Sequence, residues 1–343
     1  MAENETVKGL AARRRLGASG VMVSPVIFGA WAIGGWMWGG TDVQDAIAAI
    51  HASIDAGVNT IDTAAIYGMG ASEEIVAKAI EGRRDQVVLA TKCGMRWNSE
   101  EGTDPWPNKT PDGQQVVVRK NSRPESIAYE CEQSLKRLKT DVIDLFQIHW
   151  PDVSTPVQES IHAMEKLRQQ GKIRAIGVSN YDVMWLEAAT NAGAVASLQP
   201  PYSLITRKIE KDLLPWCRDH NLGVIVYSPL ERGLLAGTVG PERVFPEGDH
   251  RAKHKYFTVD NRNRVLSALE TVRPIAEKHG ASLAQVAINW TIHQPGITAA
   301  LVGARNAEQA SHNAGALAFA LTAEERAVIR AAFDPVSAAM GGT

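Results

Sequence analysis

The sequence predicts a (β/α)8 barrel of the TIM type, an α/β architecture, and three observations carry that expectation. Eight short β-branched or apolar runs alternate with stretches of helical spacing, the pattern of parallel strands joined by crossover helices. No Gly-x-Gly-x-x-Gly turn follows the first run, as an open dinucleotide-binding sheet would require. The 343 residues fall inside the range of roughly 200 to over 400 that a single barrel occupies.

The strand candidates, in order, are 26–30, 60–61, 87–90, 142–148, 173–178, 195–198, 224–227 and 297–301. Between them, segments such as 44–54, 126–138, 157–169, 186–191 and 262–278 place apolar residues at i, i+3 and i+4, as amphipathic helices do. Gly57, Gly171 and Gly223 each separate a helical stretch from the next strand, where a left-handed residue ends a helix. Gly68-Met69-Gly70-Ala71-Ser72 lacks a third glycine and reads as a loop with a helix starting at Ser72, with Glu73 and Glu74 favourable in its first turn. Ahead of the first strand, residues 15–23 read as a hairpin with a glycine turn, suited to plugging the lower mouth of the barrel. Two connections, 93–124 and 230–260, are far longer than ordinary βα loops; both follow strand ends and are expected to cover a ligand. The expected organisation is a flexible N-terminus over 1–12, one barrel domain over 13–335 and a flexible C-terminus over 336–343.

Composition narrows the function. Hydrophobic residues make up 45% and charged residues 22%, enough apolar material for a large core. Lys plus Arg total 36 against 38 acids, a formal charge of −2, so no global field recruits nucleic acid or anionic lipid. Three cysteines without Cys-x-x-Cys spacing suggest neither a disulfide framework nor a thiolate zinc site. His250-x-x-x-His254 lacks the glutamate of a zinc-protease motif, and no metal is assigned. The acidic start and the absence of a long apolar run predict a cytoplasmic protein with no membrane partner. The sequence carries no signal for oligomeric state.

Four polar residues stand at or just after strand ends: Asp62, Tyr67, Lys92 and His149. In a barrel they converge. An ammonium beside a phenol stabilises the phenolate and lowers its pKa, so Lys92 is expected to make Tyr67 an unusually strong acid, with Asp62 keeping Lys92 charged and His149 orienting a carbonyl oxygen. That set delivers a proton to a carbonyl but has no hydride, which implies a nicotinamide or flavin cofactor.

The stretches Gly57-Val58-Asn59-Thr60-Ile61-Asp62-Thr63-Ala64-Ala65-Ile66-Tyr67-Gly68, Ile176-Gly177-Val178-Ser179-Asn180-Tyr181 and Tyr227-Ser228-Pro229-Leu230 resemble the signatures of the aldo-keto reductases over nearly the whole chain. The family's catalytic tetrad falls on Asp62, Tyr67, Lys92 and His149. Residues 227–237 and 301–309 are most similar to the bacterial branch containing glycerol dehydrogenase/glyceraldehyde reductase and the inositol-cluster and general-stress reductases.

The resemblance implies an extended NADP(H), with NAD(H) the alternative, and a small carbonyl or polyol substrate such as glyceraldehyde or glycerol. Inositol-type polyols, methylglyoxal and a cofactor-sensing regulatory subunit are the other readings. Ser179, Asn180 and Gln199 would hold the carboxamide, Tyr227 would stack on the nicotinamide, and Ser228, Leu230, Arg232 and Gly237 would wrap the pyrophosphate. Gly303, Arg305, Gln309 and Asn313 would meet the adenosine, with free backbone N–H groups before a helix near Ala307 receiving the 2′-phosphate. Many members carry lysine at Gly303 and arginine at Gln309, which bears on NADP against NAD. Trp31 is assigned to the cofactor face and, with Trp36, Trp38, Trp97 and Trp150, to an aromatic wall around the substrate.

Overall fold

The computed structural model describes residues 12–35, 40, 42–246 and 249–343. Residues 1–11, Trp36 and Trp38 lie outside the described residues. Eight parallel strands close into a barrel: β3 (Val26–Gly29), β4 (Thr60–Asp62), β5 (Val88–Cys93), β9 (Ile143–Ile148), β10 (Ile173–Ser179), β11 (Val195–Gln199), β12 (Gly223–Val226) and β13 (Ala299–Gly303). Each pairs with the next in the chain's barrel order, and β13 returns to β3 through Ala300↔Val26 to Gly303↔Gly29. All eight strand candidates are strands, with ends shifted by up to three residues. Tyr227 lies one residue beyond β12 and makes only an isolated bridge to Pro201.

Helices cover the outside: α1 (Val43–Asp55), α2 (Ala71–Ala79), α3 (Pro124–Leu138), α4 (Val157–Gln169), α5 (Val183–Ala192), α6 (Leu213–Asp219), α7 (Val259–Lys278), α8 (Leu283–Ile292), α9 (Ala307–Ala314) and α10 (Ala323–Ala339). None among the described residues is long and apolar enough to cross a membrane. α2 starts one residue earlier than expected, with Gly70 at φ 103° as its N-cap, because the Ser72 hydroxyl is committed inward to the carbonyl of Ala30 at 2.8 Å. Gly57 and Gly171 take the left-handed turn after their helices at φ 88° and 76°. Gly223 does not: Asn221 takes it at φ 50°, and Gly223 is required instead by close approach, since a Cβ there would lie 2.6 Å from Leu16 Cδ1.

That contact belongs to the plug. β1 (Arg14–Arg15) and β2 (Met22–Val23) pair antiparallel below the barrel, and Leu16, Val21 and Val23 join Ile27, Ala90, Leu145, Ala175, Ala196, Ile225, Ala299 and Leu301 in one interior cluster. The lower barrel is therefore a packed core, which leaves only the upper rim for chemistry. At Gly17, φ 53°, a Cβ would stand 2.3 Å from the carbonyl oxygen of Ala196.

Two expectations are corrected. The first long connection is not a loop but a three-stranded antiparallel sheet of β6 (Met95–Arg96), β8 (Gln115–Lys120) and β7 (Thr103–Lys109). Its signal was present in Thr110-Pro111-Asp112-Gly113, a turn with Gly113 at φ 88° leading into a β-branched run. The expected flexible C-terminus is helical through Ala339. Beyond it, Gly342 donates its N–H to Ser337 O at 2.8 Å and accepts from Arg207 N at 2.6 Å, so the tail is packed against the loop after β11.

Candidate active site

Side chains alternate along a strand, and in a closed barrel one parity points inward. Ala90 and Leu145 lie in the interior cluster, so Lys92 and Gln147, two residues on, also face in, one layer higher. Asp62, Ser179 and Gln199 end β4, β10 and β11 in the same layer. Gly177 makes room below: a Cβ there would meet Gln147 Cγ at 2.7 Å and Ser197 Oγ at 2.8 Å.

The structure brings the four expected residues together. Lys92 is buried, 2.5 Å from Asp62 Oδ1. Its ammonium also donates to Thr63 O at 2.8 Å and to Tyr67 Oη at 3.3 Å. An ammonium has three protons and no acceptor, so these three partners use it completely. Tyr67 therefore receives from Lys92, and its own proton is left to point into the cleft. The His149 ring meets Tyr67 edge-on, with centroids 5.8 Å apart and planes at 78°.

Electrostatics correct one expectation. Tyr67 is not an unusually strong acid: burial pushes its pKa above the ordinary phenol value, and Asp62 adds to the rise, outweighing the lowering by Lys92. Burial pulls Lys92 down, but Asp62 and Tyr67 more than offset this and raise it, so it stays charged. Burial, then Lys92, holds His149 well below the ordinary histidine value, and its imidazole is neutral at pH 7. The resting state is phenol, ammonium and neutral imidazole, a stocked proton donor. A phenol above its usual pKa of about 10 is a better acid than base at neutral pH. Carbonyl reduction should accordingly show no inflection from these groups between about pH 7 and 10, whereas alcohol oxidation should rise about tenfold per pH unit over that range. Measuring kcat/KM in both directions checks this; an inflection in reduction that disappears in His149→Gln would show a titrating imidazole instead.

A cleft of about 820 Å³ runs from Tyr67 across the rim to the start of α9. It is lined at one end by Trp31, Asp62, Tyr67, His149, Ser179, Asn180, Gln199 and Tyr227, then by Ser228, Leu230, Arg232 and Arg251, and at the far end by Gly303, Arg305, Gln309 and Asn313. The polar residues at the first end are already knitted together. Gln199 Nε2 donates to Asp62 Oδ2 at 2.9 Å and Gln147 Oε1 at 3.1 Å, leaving only its Oε1 for a carboxamide. Ser179 Oγ donates to Gln199 O at 2.7 Å, Asn180 Nδ2 donates to Ser179 Oγ at 3.0 Å and His149 O at 3.1 Å, and Tyr227 Oη donates to Asn180 Oδ1 at 2.9 Å.

Gly237 is corrected: it does not line the cleft, and a Cβ there would meet Leu283 Cδ1 at 2.8 Å on the core side. At the far end, the expected free N–H groups are partly spent. Gln309 Oε1 accepts Arg305 N at 2.9 Å, and Asn306 Oδ1 accepts Gln309 N at 2.9 Å. Asn313 donates to Gly303 O at 3.1 Å, and the Arg305 guanidinium donates to Gly40 O at 2.9 Å.

Residues 25–334 match the Aldo/keto reductase family. The chain belongs to this family. It is 39% identical over 294 residues to Aldo-keto reductase YhdN of Bacillus subtilis, covering 85% of this chain and 84% of that one. It is 37% identical over 321 residues to the NADH-specific methylglyoxal reductase of Escherichia coli, covering 92% and 96%. The solved glycerol dehydrogenase AKR11B4 from Gluconobacter oxydans superposes with a TM-score of 0.84 at 38% identity over 97% of both chains.

In this aldo/keto reductase, two of the tryptophans expected around the substrate can be placed on the cleft. Trp31 follows β3, with its ring 6.5 Å from that of Tyr67 and 5.2 Å from that of His250. Trp150 lines the cleft with the ammonium of Lys120 5.6 Å from its ring. Trp97 is corrected: it packs on the Ala64, Ile66, Met95 and Val118 cluster, with the Arg137 guanidinium 5.9 Å from its ring, and does not line the cleft. Residue reasoning missed Gln147, whose Nε2 donates to Asp62 Oδ2 at 3.0 Å. Its signal was its place midway between Leu145 and His149 on an inward face. It also missed Glu231, a buried acid that no periodicity marks.

Proposed function

We propose that this aldo/keto reductase is an NADP(H)-dependent oxidoreductase that interconverts small aldehydes or ketones with alcohols, with substrates of the glyceraldehyde/glycerol type. The observation carrying the reaction class is the saturation of Lys92 by Asp62, Thr63 and Tyr67, which leaves one phenolic proton facing the cleft. A bound nicotinamide dinucleotide supplies the hydride. The chain fits such a group: Tyr227 offers an aromatic face and the Gln199 oxygen an acceptor at one end, and Arg232, Arg251 and Arg305 offer cations toward an anionic backbone. Tyr67 gives its proton to the carbonyl oxygen as charge develops there. Lys92 stabilises the phenolate left behind, and neutral His149 keeps an N–H for the same oxygen.

NADP(H) rests on Arg305, an exposed guanidinium beside the N-terminus of α9. NAD(H) is the second reading. It is favoured by Gln309, which takes up the Arg305 backbone N–H, by Glu308 lining the same end, and by the likeness to an NADH-specific relative. Glyceraldehyde and glycerol follow the glycerol dehydrogenase neighbour, methylglyoxal the Escherichia coli relative. A cytoplasmic location is part of the same reading. Steady-state rates with glyceraldehyde, glycerol, methylglyoxal and inositol, each with NADPH/NADP and NADH/NAD, test it. Preference for NADP(H) that falls with Arg305→Ala is the expected result. Severalfold preference for NAD(H) would overturn the cofactor assignment, and absence of turnover with every pair would overturn the reaction.

A further inference from the structure

The segment over the middle of the cleft is held in place by a carboxylate that does not itself face it. Glu231 is 2% exposed. Its Oε1 accepts Ser203 Oγ at 2.8 Å and Thr206 Oγ1 at 2.5 Å, and its Oε2 lies 3.3 Å from the Arg232 guanidinium. Thr206 Oγ1 also lies 3.4 Å from Tyr256 Oη. Three segments meet there: the loop after β11, the loop after β12, and the turn at Lys255–Phe257. The first is fixed from behind, since Arg207 pairs with Asp334 at 2.6 Å and Ser337 Oγ donates to Ile205 O at 3.2 Å.

What these contacts hold is an unusual backbone. Ser228, Glu231 and Arg232 adopt φ of 59°, 45° and 57°, followed by Gly233 at 91°. Side-chain-bearing residues avoid that region, so the surroundings must impose it. The contortion divides the segment: Ser228, Leu230, Arg232 and Gly233 line the cleft while Glu231, Leu234 and Leu235 are buried. Arg232 is thereby placed between Tyr227 at one end and Arg305 at the other. Its buried Nε has no hydrogen-bond partner among the described residues, a donor that an anion would complete.

We propose that Glu231 is a positioning residue for the cofactor: tied to Ser203 and Thr206, it holds the left-handed turns at Ser228, Glu231, Arg232 and Gly233 and aims Arg232 at the pyrophosphate in the middle of the dinucleotide. This rests on the dinucleotide reading given above. A carboxylate suits the role because one group takes two hydroxyls and a guanidinium at once, and a buried acid is costly unless so satisfied. An apolar residue would fill the same space without fixing the direction of Arg232.

The test compares Glu231→Ala, Glu231→Gln and Ser203→Ala/Thr206→Val with the unaltered protein. The readouts are the Kd and release rate of the tighter-binding of NADPH and NADH by fluorescence, competition by ADP-ribose and by adenosine, and the Tm. The expected result is at least a tenfold weaker dinucleotide in Glu231→Ala, through faster release. ADP-ribose should weaken in parallel, and adenosine, which lacks the pyrophosphate, should be unchanged. Glu231→Gln should fall between Glu231→Ala and the unaltered protein, because its carbonyl oxygen still accepts from both hydroxyls while its amide nitrogen cannot accept from Arg232. If Glu231→Ala does not fold, the Ser203→Ala/Thr206→Val pair is expected to show the same split. Unchanged ADP-ribose binding, or equal loss for ADP-ribose and adenosine, would overturn the proposal. Failure of the unaltered protein to bind either dinucleotide would instead remove the functional reading beneath it.

Discussion

Tyr67→Phe should lower kcat for aldehyde reduction by about 10²–10⁴-fold, the usual contribution of a positioned general acid, while the dinucleotide Kd stays within about twofold. The substitution removes one oxygen. That oxygen accepts from Lys92 at 3.3 Å and carries the hydroxyl proton that Lys92 leaves facing the cleft. The remaining partners of Lys92, Asp62 and Thr63, still hold the ammonium. Thermal stability should therefore change little, which separates lost chemistry from lost structure. Single-turnover reduction followed by nicotinamide absorbance, with the Kd measured on the same protein, reads both quantities. A Phe variant turning over within threefold of the unaltered enzyme would move the proton donor elsewhere, with His149 the nearest alternative.

Lys92→Met should destabilise the fold by about 3–5 kcal/mol, the usual result of removing one partner of a buried ion pair. Lys92 and Asp62 have side chains 0% and 1% exposed, so a lone Asp62 carboxylate has no water to turn to. Two amides soften the loss, because Gln147 and Gln199 still donate to Asp62 Oδ2 at 3.0 and 2.9 Å; the effect should fall toward the lower end of that range. Asp62→Asn combined with Lys92→Met should recover part of the stability by removing the orphaned charge, yet remain inactive, because nothing then stabilises the Tyr67 phenolate. Guanidinium unfolding of the two singles and the double closes the cycle. A loss under about 0.5 kcal/mol in Lys92→Met would mean that the pair is solvated and that the buried-pair description fails.

The site was legible in the sequence where chemistry coincides with strand ends. Asp62, Lys92 and His149 sit one or two residues past the apolar runs 60–61, 87–90 and 142–148, so placing them on a barrel rim needed no coordinates. The left-handed glycines at 57 and 171 were legible for a similar reason, because a helix must stop before a strand begins. Gly223 looked the same and was not, since its requirement comes from Leu16, some two hundred residues earlier in the chain. Trp97 and Gly237 failed likewise: each neighbours cleft residues in sequence, but the side-chain direction at that one position is set by sheet register or by a left-handed turn.

Local order alone determined the barrel and its eight strands and pointed to the four candidate residues at their ends, because the alternation of apolar runs with helical spacing is a property of adjacent positions. Only the closed tertiary structure decided the direction of the Tyr67 pKa, the threefold saturation of Lys92, the binding of Gln147 and Gln199 to Asp62, and the clamp of Ser203 and Thr206 on Glu231. Each depends on how much water is excluded and on which distant strands face one another. Desolvation and contacts between residues tens to more than a hundred positions apart leave no mark on the spacing of neighbours along a chain.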